Sequence, residues 1–419
     1  MTPAPARRAP VDARAIVVGG GPAGAATAWA LAGEGIEVLL LDRARFPRDK
    51  PCGEYLSPQA SRILAAMGAL DRVERAGGAQ LGGMQVRAPS GDVIHGQFAA
   101  GHGFRGFRDR GLALRRTTLD AILLDCAREA GAEVREDVKV TDLARDARGR
   151  VVGVCVVERG EARTIAASLV VGADGLRSVV ARRLGVARHA RWPRRIALVT
   201  HFRGITGLGE HGEMHVERGG YLGIAPVGGG EANVAVVVPI ARAREIGGDA
   251  PGFLARWIAS CAHLAPRFAR AERTTPVVAT GPFASHARRA WAPGAALVGD
   301  AADFFDPFTG EGIYAALRGA ELLAPRAAES VRAMRRGDTA AADRALASYA
   351  RALRDEFRGK RAVERIVGAT VAFPSLINRA ARALSRRRDM ADLLVGVTGD
   401  FVPAREVLRV GYVLRLLGG

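Results

Sequence analysis

The first patterned part of the chain is a glycine-rich turn between an apolar run and a stretch of small residues. Residues 15–18 are apolar, and Gly19, Gly21 and Gly24 follow with the spacing G-x-G-x-x-G. Such a turn lets a phosphate approach the backbone, where the N–H groups and positive end of the next helix bind it. Asp42 follows a second apolar run, where a carboxylate can accept hydrogen bonds from a ribose. The spacing predicts a dinucleotide-binding βαβ unit; the alternative is a tight strand–helix turn without a ligand.

A second segment contains side chains that could take part in a reaction. It is Lys50-Pro51-Cys52-Gly53-Glu54, which lies in an extended, proline-rich stretch. A carboxylate whose pKa is raised by burial can orient a substrate or transfer a proton. Glu54 is therefore a candidate catalytic residue. Cys52 is a second candidate that would line a pocket, and its alternative is a small buried apolar side chain.

Two further loops place an acid shortly after a buried apolar strand. Residues 169–171 precede Asp174, and residues 295–298 precede Asp300, which is followed by a helix that opens at 307–312. Ligands of doubly wound folds bind at the carboxyl ends of such strands. We therefore expect both acids to contact a cofactor, the alternative for each being to cap the N-terminus of the following helix.

The elements that must position these residues alternate between strands and helices. Apolar spacing predicts helices at 59–67 and 118–131 and strands at 133–140 and 151–157, the latter two joined as a hairpin or meander. From 196 to 239 the period changes to two, which predicts a β-rich insertion. Everything after about residue 340 has a helical pattern.

These elements predict an α/β (α+β) fold. A Rossmann-type domain with a parallel sheet would be interleaved with a β-sheet substrate domain and followed by a C-terminal helical region. The expected boundaries are 14–80, 108–185 and 285–330 for the discontinuous nucleotide-binding domain, 81–107 and 186–284 for the β-rich domain, and 331–419 for the helical region.

Together the motifs resemble the para-hydroxybenzoate hydroxylase type of FAD enzyme. The resemblance rests on G-x-G-x-x-G, on Arg116-x-x-Leu119-Asp120, on Asp174-Gly175 and on Gly299-Asp300 with its Pro307…Gly310-x-Gly312 tail. Lys50–Glu54 is similar to the branch that contains geranylgeranyl reductases, flavin-dependent halogenases and secondary-metabolite monooxygenases. The resemblance implies FAD, with Arg115 as an alternative to Arg116. The expected FAD contacts are Gly19, Gly21, Pro22, Ala23, Gly24, Asp42, Arg43, Cys52, Gly53, Arg116, Val140, Asp174, Gly299, Asp300, Pro307, Gly310, Glu311 and Gly312.

The resemblance implies a monooxygenase that hydroxylates or epoxidises a hydrophobic aromatic, polyketide or quinone-like metabolite through a flavin C4a-hydroperoxide. The halogenases' W-x-W-x-I-P string is absent, and residues 221–226 keep the Tyr and Pro of the reductases' aromatic motif but lack its Trp and Phe. Reduction of C=C bonds in a prenyl or polyketide chain is the alternative. There is no second G-x-G-x-x-G, so we expect NAD(P)H to bind transiently or a partner reductase to supply reduced flavin.

Three large side chains of the β-rich insertion are candidates for the substrate pocket because strand residues alternate between faces. They are Phe202, Met214 and Tyr221. The alternative for each is ordinary sheet core.

Composition sets limits on the class of protein. The chain has 419 residues and a net charge of +18, and its only lysines are Lys50, Lys139 and Lys360. Four scattered cysteines indicate a reduced, cytoplasmic protein, and scattered histidines predict no metal site. Residues 1–14 lack a signal-peptide pattern, and no apolar run is long enough to span a membrane. Nucleic-acid-binding motifs are absent, so we expect no nucleic-acid partner.

The basic excess is concentrated at the C-terminus, where residues 331–419 carry half of the net charge. Residues 374–388 and 403–417 each combine an apolar side with an arginine side. Such helices can lie on an anionic membrane or bind an acyl carrier protein. The alternative is that they pack on the flavin domain with solvated arginines outside. The pattern does not specify an oligomeric state.

Overall fold

Strands and helices alternate along the part of the chain that the computed structural model describes, residues 14–417 except 100, 191 and 193. The prediction of no signal peptide in residues 1–14 therefore lies, apart from Arg14, outside the described residues. The strands are β1 (Ala15–Val18), β2 (Val38–Leu41), β3 (Tyr55–Leu56), β4 (Ala79–Leu81), β5 (Gly83–Arg87), β6 (Val93–Gln97), β7 (Gly111–Ala113), β8 (Glu133–Arg135), β9 (Val138–Arg145), β10 (Val151–Glu158), β11 (Glu161–Ala166), β12 (Leu169–Gly172), β13 (Ala187–His189), β14 (Arg195–Arg203), β15 (His211–Glu217), β16 (Gly220–Gly228), β17 (Glu231–Pro239), β18 (Glu272–Arg273), β19 (Val278–Thr280), β20 (Ser285–Ala287), β21 (Trp291–Ala292), β22 (Ala295–Leu297) and β23 (Asp303–Phe304).

The helices of the same residues include short turns as well as long C-terminal elements. They are α1 (Pro22–Gly33), α2 (Ala60–Ala66), α3 (Leu70–Arg75), α4 (Arg116–Glu129), α5 (Val179–Arg183), α6 (Ala243–Ile246), α7 (Ala250–Ser260), α8 (Ala265–Phe268), α9 (Gly312–Arg335), α10 (Thr339–Ala372), α11 (Pro374–Ser385), α12 (Arg388–Thr398), α13 (Arg405–Leu408) and α14 (Val410–Leu417).

The dinucleotide-type sheet has the order β21-β22-β12-β1-β2-β8. Its neighbouring strands from β22 to β8 all run parallel, and only β21 is antiparallel. Strands β1, β2, β12 and β22 are buried along their whole length, as expected of parallel strands covered on both faces. Because these strands are parallel, the loops after them lie along one edge of the sheet.

The strand predicted over residues 133–140 is wrong as a single element. Residues 133–135 form β8 at the edge of the parallel sheet, whereas residues 138–145 form β9 of a separate antiparallel meander with β10 and β11. Asp137 lies between them with a left-handed φ of 58°. That conformation turns the chain out of the first sheet, so the one predicted strand is divided between two sheets.

The larger sheet has the order β18-β14-β17-β16-β15-β5-β6, with β19 paired to β14. Its strands pair antiparallel except for β5 and β15, which run parallel although they are distant in sequence. One face, which we call the inner face, carries Ala197, Val199 and Met214 and packs against the C-terminal helices. The outer face carries Leu198 and packs beneath α7.

The C-terminal helices close the inner face. Helix α10 runs along α9, α11 and α12 pack against β6, and α14 packs on α11. No helix in the described part of the chain is both long and apolar enough to cross a bilayer. The α/β fold class, with a parallel sheet, a β-rich sheet and a helical C-terminal region, is confirmed.

Candidate functional site

Three motif loops meet at the carboxyl edge of the parallel sheet. The amide of Gly19 donates to the carbonyl of Leu41 at 2.8 Å, and the amide of Ala173 donates to that of Val18 at 2.8 Å. Gly19 has φ +103°, and a Cβ there would lie 2.6 Å from the carbonyl oxygen of Ala173. A Cβ on Gly24 would overlap the carbonyl oxygen of Gly19. These two glycines are therefore required by the packing of the loops themselves.

Gly21 has a different environment. A Cβ there would meet only the ends of two cationic side chains, Arg48 Nη2 at 3.6 Å and Arg116 Nη2 at 3.7 Å. Gly21 immediately precedes α1, whose positive end and free N–H groups suit a phosphate. The glycine thus borders a place where an anionic group can approach both a helix N-terminus and two guanidinium groups. A dinucleotide diphosphate fits that combination.

The cations at this edge are only partly neutralised. Arg116 is 6% exposed and donates two hydrogen bonds to Asp120, of 2.6 and 2.7 Å. Arg48 lies 3.1 Å from the same carboxylate. Burial lowers the pKa of Lys50 while the nearby Asp300 raises it. Three cations thus share two acids, which leaves positive charge for an anionic ligand.

Asp300 lies at the same edge, after β22. Burial raises the pKa of its carboxyl group, and Lys50 and Arg116 oppose that shift. A Cβ on the preceding Gly299 would lie 2.8 Å from the Cβ of Ala23, so this loop packs directly against the start of α1. The structure therefore places the Gly299-Asp300 loop next to the glycine-rich turn, although the two motifs are distant in sequence.

Two other predicted acids are occupied by backbone donors. Asp42 accepts from the amides of Gly20 at 2.6 Å and Ala44 at 2.8 Å. Asp174 accepts from the Val179 amide and from the Ser178 hydroxyl, each at 2.6 Å. Asp174 therefore makes the helix-capping contacts that the sequence analysis gave as the alternative to a cofactor contact.

Two of the expected FAD contacts, Arg43 and Val140, are not among the loop residues described so far. Arg43 is exposed, and Val140 is buried on β9 within the core of the nucleotide-binding sheet.

The loop before α9 has a conformation that demands glycine. Gly310 has φ +72°, and a Cβ there would lie 2.8 Å from the ring of Tyr55. Helix α9 starts at Gly312, so its positive end is directed at this loop. The buried hydroxyl of Thr309 has no hydrogen-bond partner within the described residues. A helix terminus and an unsatisfied hydroxyl form a polar edge that the carbonyl side of a flavin ring fits.

Glu54 is buried and fully hydrogen-bonded. It is 2% exposed and has a left-handed φ of 60°. One carboxylate oxygen accepts from the Arg116 amide at 2.7 Å, and the other lies 2.7 Å from His201 Nε2 and accepts from Asn233 Nδ2 at 3.1 Å. Because His201 and Asn233 belong to the larger sheet, Glu54 connects the cofactor loops to the inner face.

Cys52 lies at the same junction and is half-buried. The Glu54 amide donates to its Sγ at 3.4 Å, and Asn233 donates to its carbonyl oxygen at 2.8 Å. Burial lowers the pKa of Arg116, but Asp120 and Cys52 raise it above its ordinary value. The thiol therefore lies against the guanidinium group beside Gly21.

Sequence reasoning missed His201 and Asn233. Both are buried polar residues that neighbour apolar residues on the same strand face, Val199 before His201 on β14 and Ala235 beside Asn233 on β17. A buried polar side chain in such a position needs a partner, and this signal could have identified both residues.

The candidate pocket residues lie on opposite faces of the larger sheet. Met214 and Tyr221 belong to the inner face, whereas Phe202 packs on the outer side against Phe268, with ring centroids 5.2 Å apart. Tyr221 is 1% exposed, and its hydroxyl donates to Asp306 at 2.7 Å. Arg195 donates to the other oxygen of Asp306 at 2.6 Å.

The sequence did not indicate this Arg195–Asp306–Tyr221 cluster. Burial and Asp306 together raise the pKa of Tyr221 well above its ordinary value, so the phenol stays protonated and donating. Asp306 also accepts from the amide of Phe308. The Tyr221 hydroxyl therefore stabilises the loop before α9 through Asp306 and is not available to a ligand.

Comparison with known proteins gives a family and several relatives. The family described as FAD binding domain matches residues 12–354. The menaquinone reductase of Mycolicibacterium smegmatis is 33% identical over 239 residues, which are 53% of this chain and 54% of that protein. The match thus covers about half the length of that relative. Digeranylgeranylglycerophospholipid reductase 2 of Methanopyrus kandleri is 28% identical over 92% of this chain and 93% of that protein.

Solved structures give the same fold. The myxobacterial chondrochloren halogenase is 25% identical with a TM-score of 0.78, covering 97% of this chain and 96% of its own. A geranylgeranyl bacteriochlorophyll reductase-like protein of Thermoplasma acidophilum is 23% identical with a TM-score of 0.71, covering 97% and 95%. The likeness to flavoproteins extends over both sheets and the C-terminal helices.

Proposed function

This chain belongs to the FAD binding domain family, and we propose that it is a flavin-dependent reductase that saturates C=C bonds in a prenyl or similarly apolar chain. The observation that carries the proposal is the chemistry of the inner face. Ala197, Val199, Met214 and Val216 supply only apolar groups there. The polar groups beside them, such as His201, are already paired with protein partners. These side chains are buried against the C-terminal helices, so an apolar chain would bind by entering between this face and those helices, driven by burial of apolar area.

Relatives support this choice over the monooxygenase that the sequence resemblance favoured. Two of them are named as reductases of a menaquinone and of a digeranylgeranyl lipid, and the second match runs along nearly the whole chain. Both names denote molecules that carry prenyl chains. We therefore propose the alternative from the sequence as the principal activity.

The residues present fit FAD at the edge described above. The G-x-G-x-x-G turn and α1 would hold the diphosphate, with Arg48 and Arg116 compensating its charge. The loop ending at Gly312 and the start of α9 would face the flavin ring. When bound and reduced, FAD supplies a hydride to one carbon of the double bond. The protein must exclude water from the inner face and deliver a proton to the other carbon.

We propose that the thiol of Cys52 holds that proton and that Glu54 positions the Cys52 segment. Glu54 has three protein partners and no oxygen left over for a substrate, whereas Cys52 is half-buried. The Asn233 bond to the Cys52 carbonyl fixes the segment against the inner face. We expect Cys52→Ala to reduce turnover by a larger factor than it weakens FAD binding. Glu54→Gln should disturb the whole segment and weaken both.

NAD(P)H is proposed as the reductant. A cavity of about 270 Å³ lies beside the Asp174 loop and is lined by Arg177, Arg182 and Arg194. These cations suit the phosphates of a nicotinamide dinucleotide that binds transiently. Anaerobic addition of NADPH or NADH to the FAD-loaded protein should bleach the flavin absorbance. Arg182→Glu should slow that bleaching without altering reduction by dithionite.

The decisive experiment measures turnover without oxygen. FAD-loaded protein, reduced by dithionite under argon, is mixed with geranylgeraniol and with a menaquinone, and products are analysed by mass spectrometry. A reductase adds two hydrogen atoms per double bond under these conditions, and the menaquinone product must keep them after reoxidation in air, because dithionite alone reduces the quinone ring to the quinol. A product that forms only in air and gains one oxygen atom would instead establish the monooxygenase. That second candidate keeps its support from the motif resemblance and from residues 221–226, which lack the reductases' Trp and Phe.

A further inference from the structure

We propose that the outward faces of the C-terminal helices form a docking surface for an anionic lipid bilayer. Large apolar side chains are exposed there on three helix segments. Val410 is 72% exposed and Leu414 63%, both on α14; Ile366 is 55% exposed near the end of α10. Phe373 and Leu376, at the start of α11, are about half exposed. We call these five residues the C-terminal apolar patch.

The patch is held on a packed support. Helix α11 inserts Ile377 and Leu384, and α14 inserts Tyr412, into the same core beneath the larger sheet. The hydroxyl of Tyr412 donates to the carbonyl of Met390 at 2.9 Å. Helix α11 packs against both α14 and α10, so the three segments that carry the exposed apolar residues are neighbours. We therefore treat these exposed apolar residues as one surface carried by adjacent helices.

Arginines alternate with the apolar side chains of the patch. Arg382 is exposed on α11 and Arg386 directly after it, and Arg415 is exposed on α14 and Arg409 directly before it. A helix with an apolar stripe flanked by arginine lies in the bilayer interface, where anionic head groups neutralise its charge. Long arginine side chains can keep their charged ends at the head groups while their stems contact apolar surface. This charge complementarity favours anionic lipid as the partner.

An aromatic side chain extends the patch at its rim. Trp192 is 55% exposed, and its ring lies 6.1 Å from that of Phe373. Tryptophan is enriched at membrane–water interfaces because its ring is amphipathic. Exposed apolar and aromatic groups beside arginines suit insertion among anionic lipid head groups.

The location links the surface to the proposed function. The same helices cover the inner face, where the proposed prenyl chain would bind. A substrate dissolved in the bilayer would then reach the inner face beside the docked helices. This link rests on the proposed function, whereas docking itself can be measured without turnover.

The test uses the full chain loaded with FAD in co-sedimentation with large vesicles. One set contains phosphatidylglycerol mixed with phosphatidylcholine, and the other contains phosphatidylcholine alone. We expect binding to the anionic vesicles at low salt, weakened by added salt. Val410→Glu/Leu414→Glu should weaken it at least about tenfold, because two apolar groups are lost and two repelled charges added. Phe107→Glu/Val278→Glu is the matched control, since both residues are comparably exposed outside the patch.

Three results would overturn the proposal. The first is no sedimentation of the unaltered protein with anionic vesicles at low salt. The second is equal binding by the patch variant, and the third is equal loss in the control variant. Binding of an acyl carrier protein that is sensitive to the patch substitutions, without vesicle binding, would assign the surface to that partner instead. Vesicle binding by a protein that turns over no prenyl substrate would refute the proposed function and leave the docking surface standing.

Discussion

Removal of the Asp306 carboxylate should destabilise the protein more than removal of the Tyr221 hydroxyl that donates to it. Arg195 and Asp306 have side chains only 6% and 5% exposed and are joined by a 2.6 Å hydrogen bond. Asp306→Ala would leave the Arg195 charge buried without a carboxylate, with the carbonyl of Gly368 and the ring of Tyr221 as its partners among the described residues. Breaking a buried pair in this way costs about 3–5 kcal/mol. Tyr221→Phe removes one bond to a charged group, which costs about 1.5–3 kcal/mol.

Urea unfolding of the FAD-free variants measures both costs, provided that the slope of the transition is unchanged. Arg195→Met/Asp306→Leu is the matched control, because removing both charges avoids the isolated buried cation and should recover most of the loss. Since Asp306 also holds the Phe308 amide at the loop before α9, Asp306→Ala should speed FAD release as well. The reasoning is refuted if Asp306→Ala costs no more than Tyr221→Phe, or if the double variant is less stable than Asp306→Ala.

Three further predictions concern the glycine turn and the outer face. Gly21→Ala should weaken FAD binding while leaving the melting temperature of the FAD-free protein nearly unchanged, because its Cβ meets only flexible side-chain ends. Gly24→Ala should lower stability by about 1–3 kcal/mol or prevent folding, since its Cβ overlaps backbone; equal melting temperatures of the two variants would contradict this contrast. Burial, Arg87 and His215 lower the pKa of His263 to about 4, so between pH 6.5 and 4 the unfolded chain binds more protons at this site than the folded protein. Stability should therefore decrease as the pH is lowered from 6.5 to 4. His263→Gln should flatten the pH dependence of the urea midpoint in this range.

Much of the nucleotide-binding half follows from local sequence. Strand β1 covers the predicted residues 15–18, and α1 begins directly after Gly21. Each feature depends on neighbouring residues: apolar runs make buried strands, and glycine is needed where a left-handed φ or a close backbone approach occurs. The resemblance to FAD enzymes, which rests on these local motifs, is confirmed by the family match.

The contacts that join Glu54 to the larger sheet could not be predicted in the same way. Glu54 finds His201 and Asn233 through a fold that brings distant segments together, and no short spacing encodes that contact. The same holds for Asp306 and Tyr221. The split coincides with Arg135-Glu136-Asp137, which interrupts the alternation of valines over 133–140, and the left-handed backbone at Asp137 marks the change of sheet. Long-range pairing of this kind depends on tertiary structure and not on periodicity.

The parallel pairing of β5 with β15 has a consequence for the order of events in folding. Strand β5 must wait for β15, which is synthesised only after the whole meander and most of the nucleotide-binding strands. Contacts between such distant segments form slowly, and unpaired strand edges are prone to aggregate meanwhile. The β5–β6 hairpin therefore keeps one edge of β5 unpaired until β15 has been synthesised. Circular permutation that joins it directly to β15 should speed refolding.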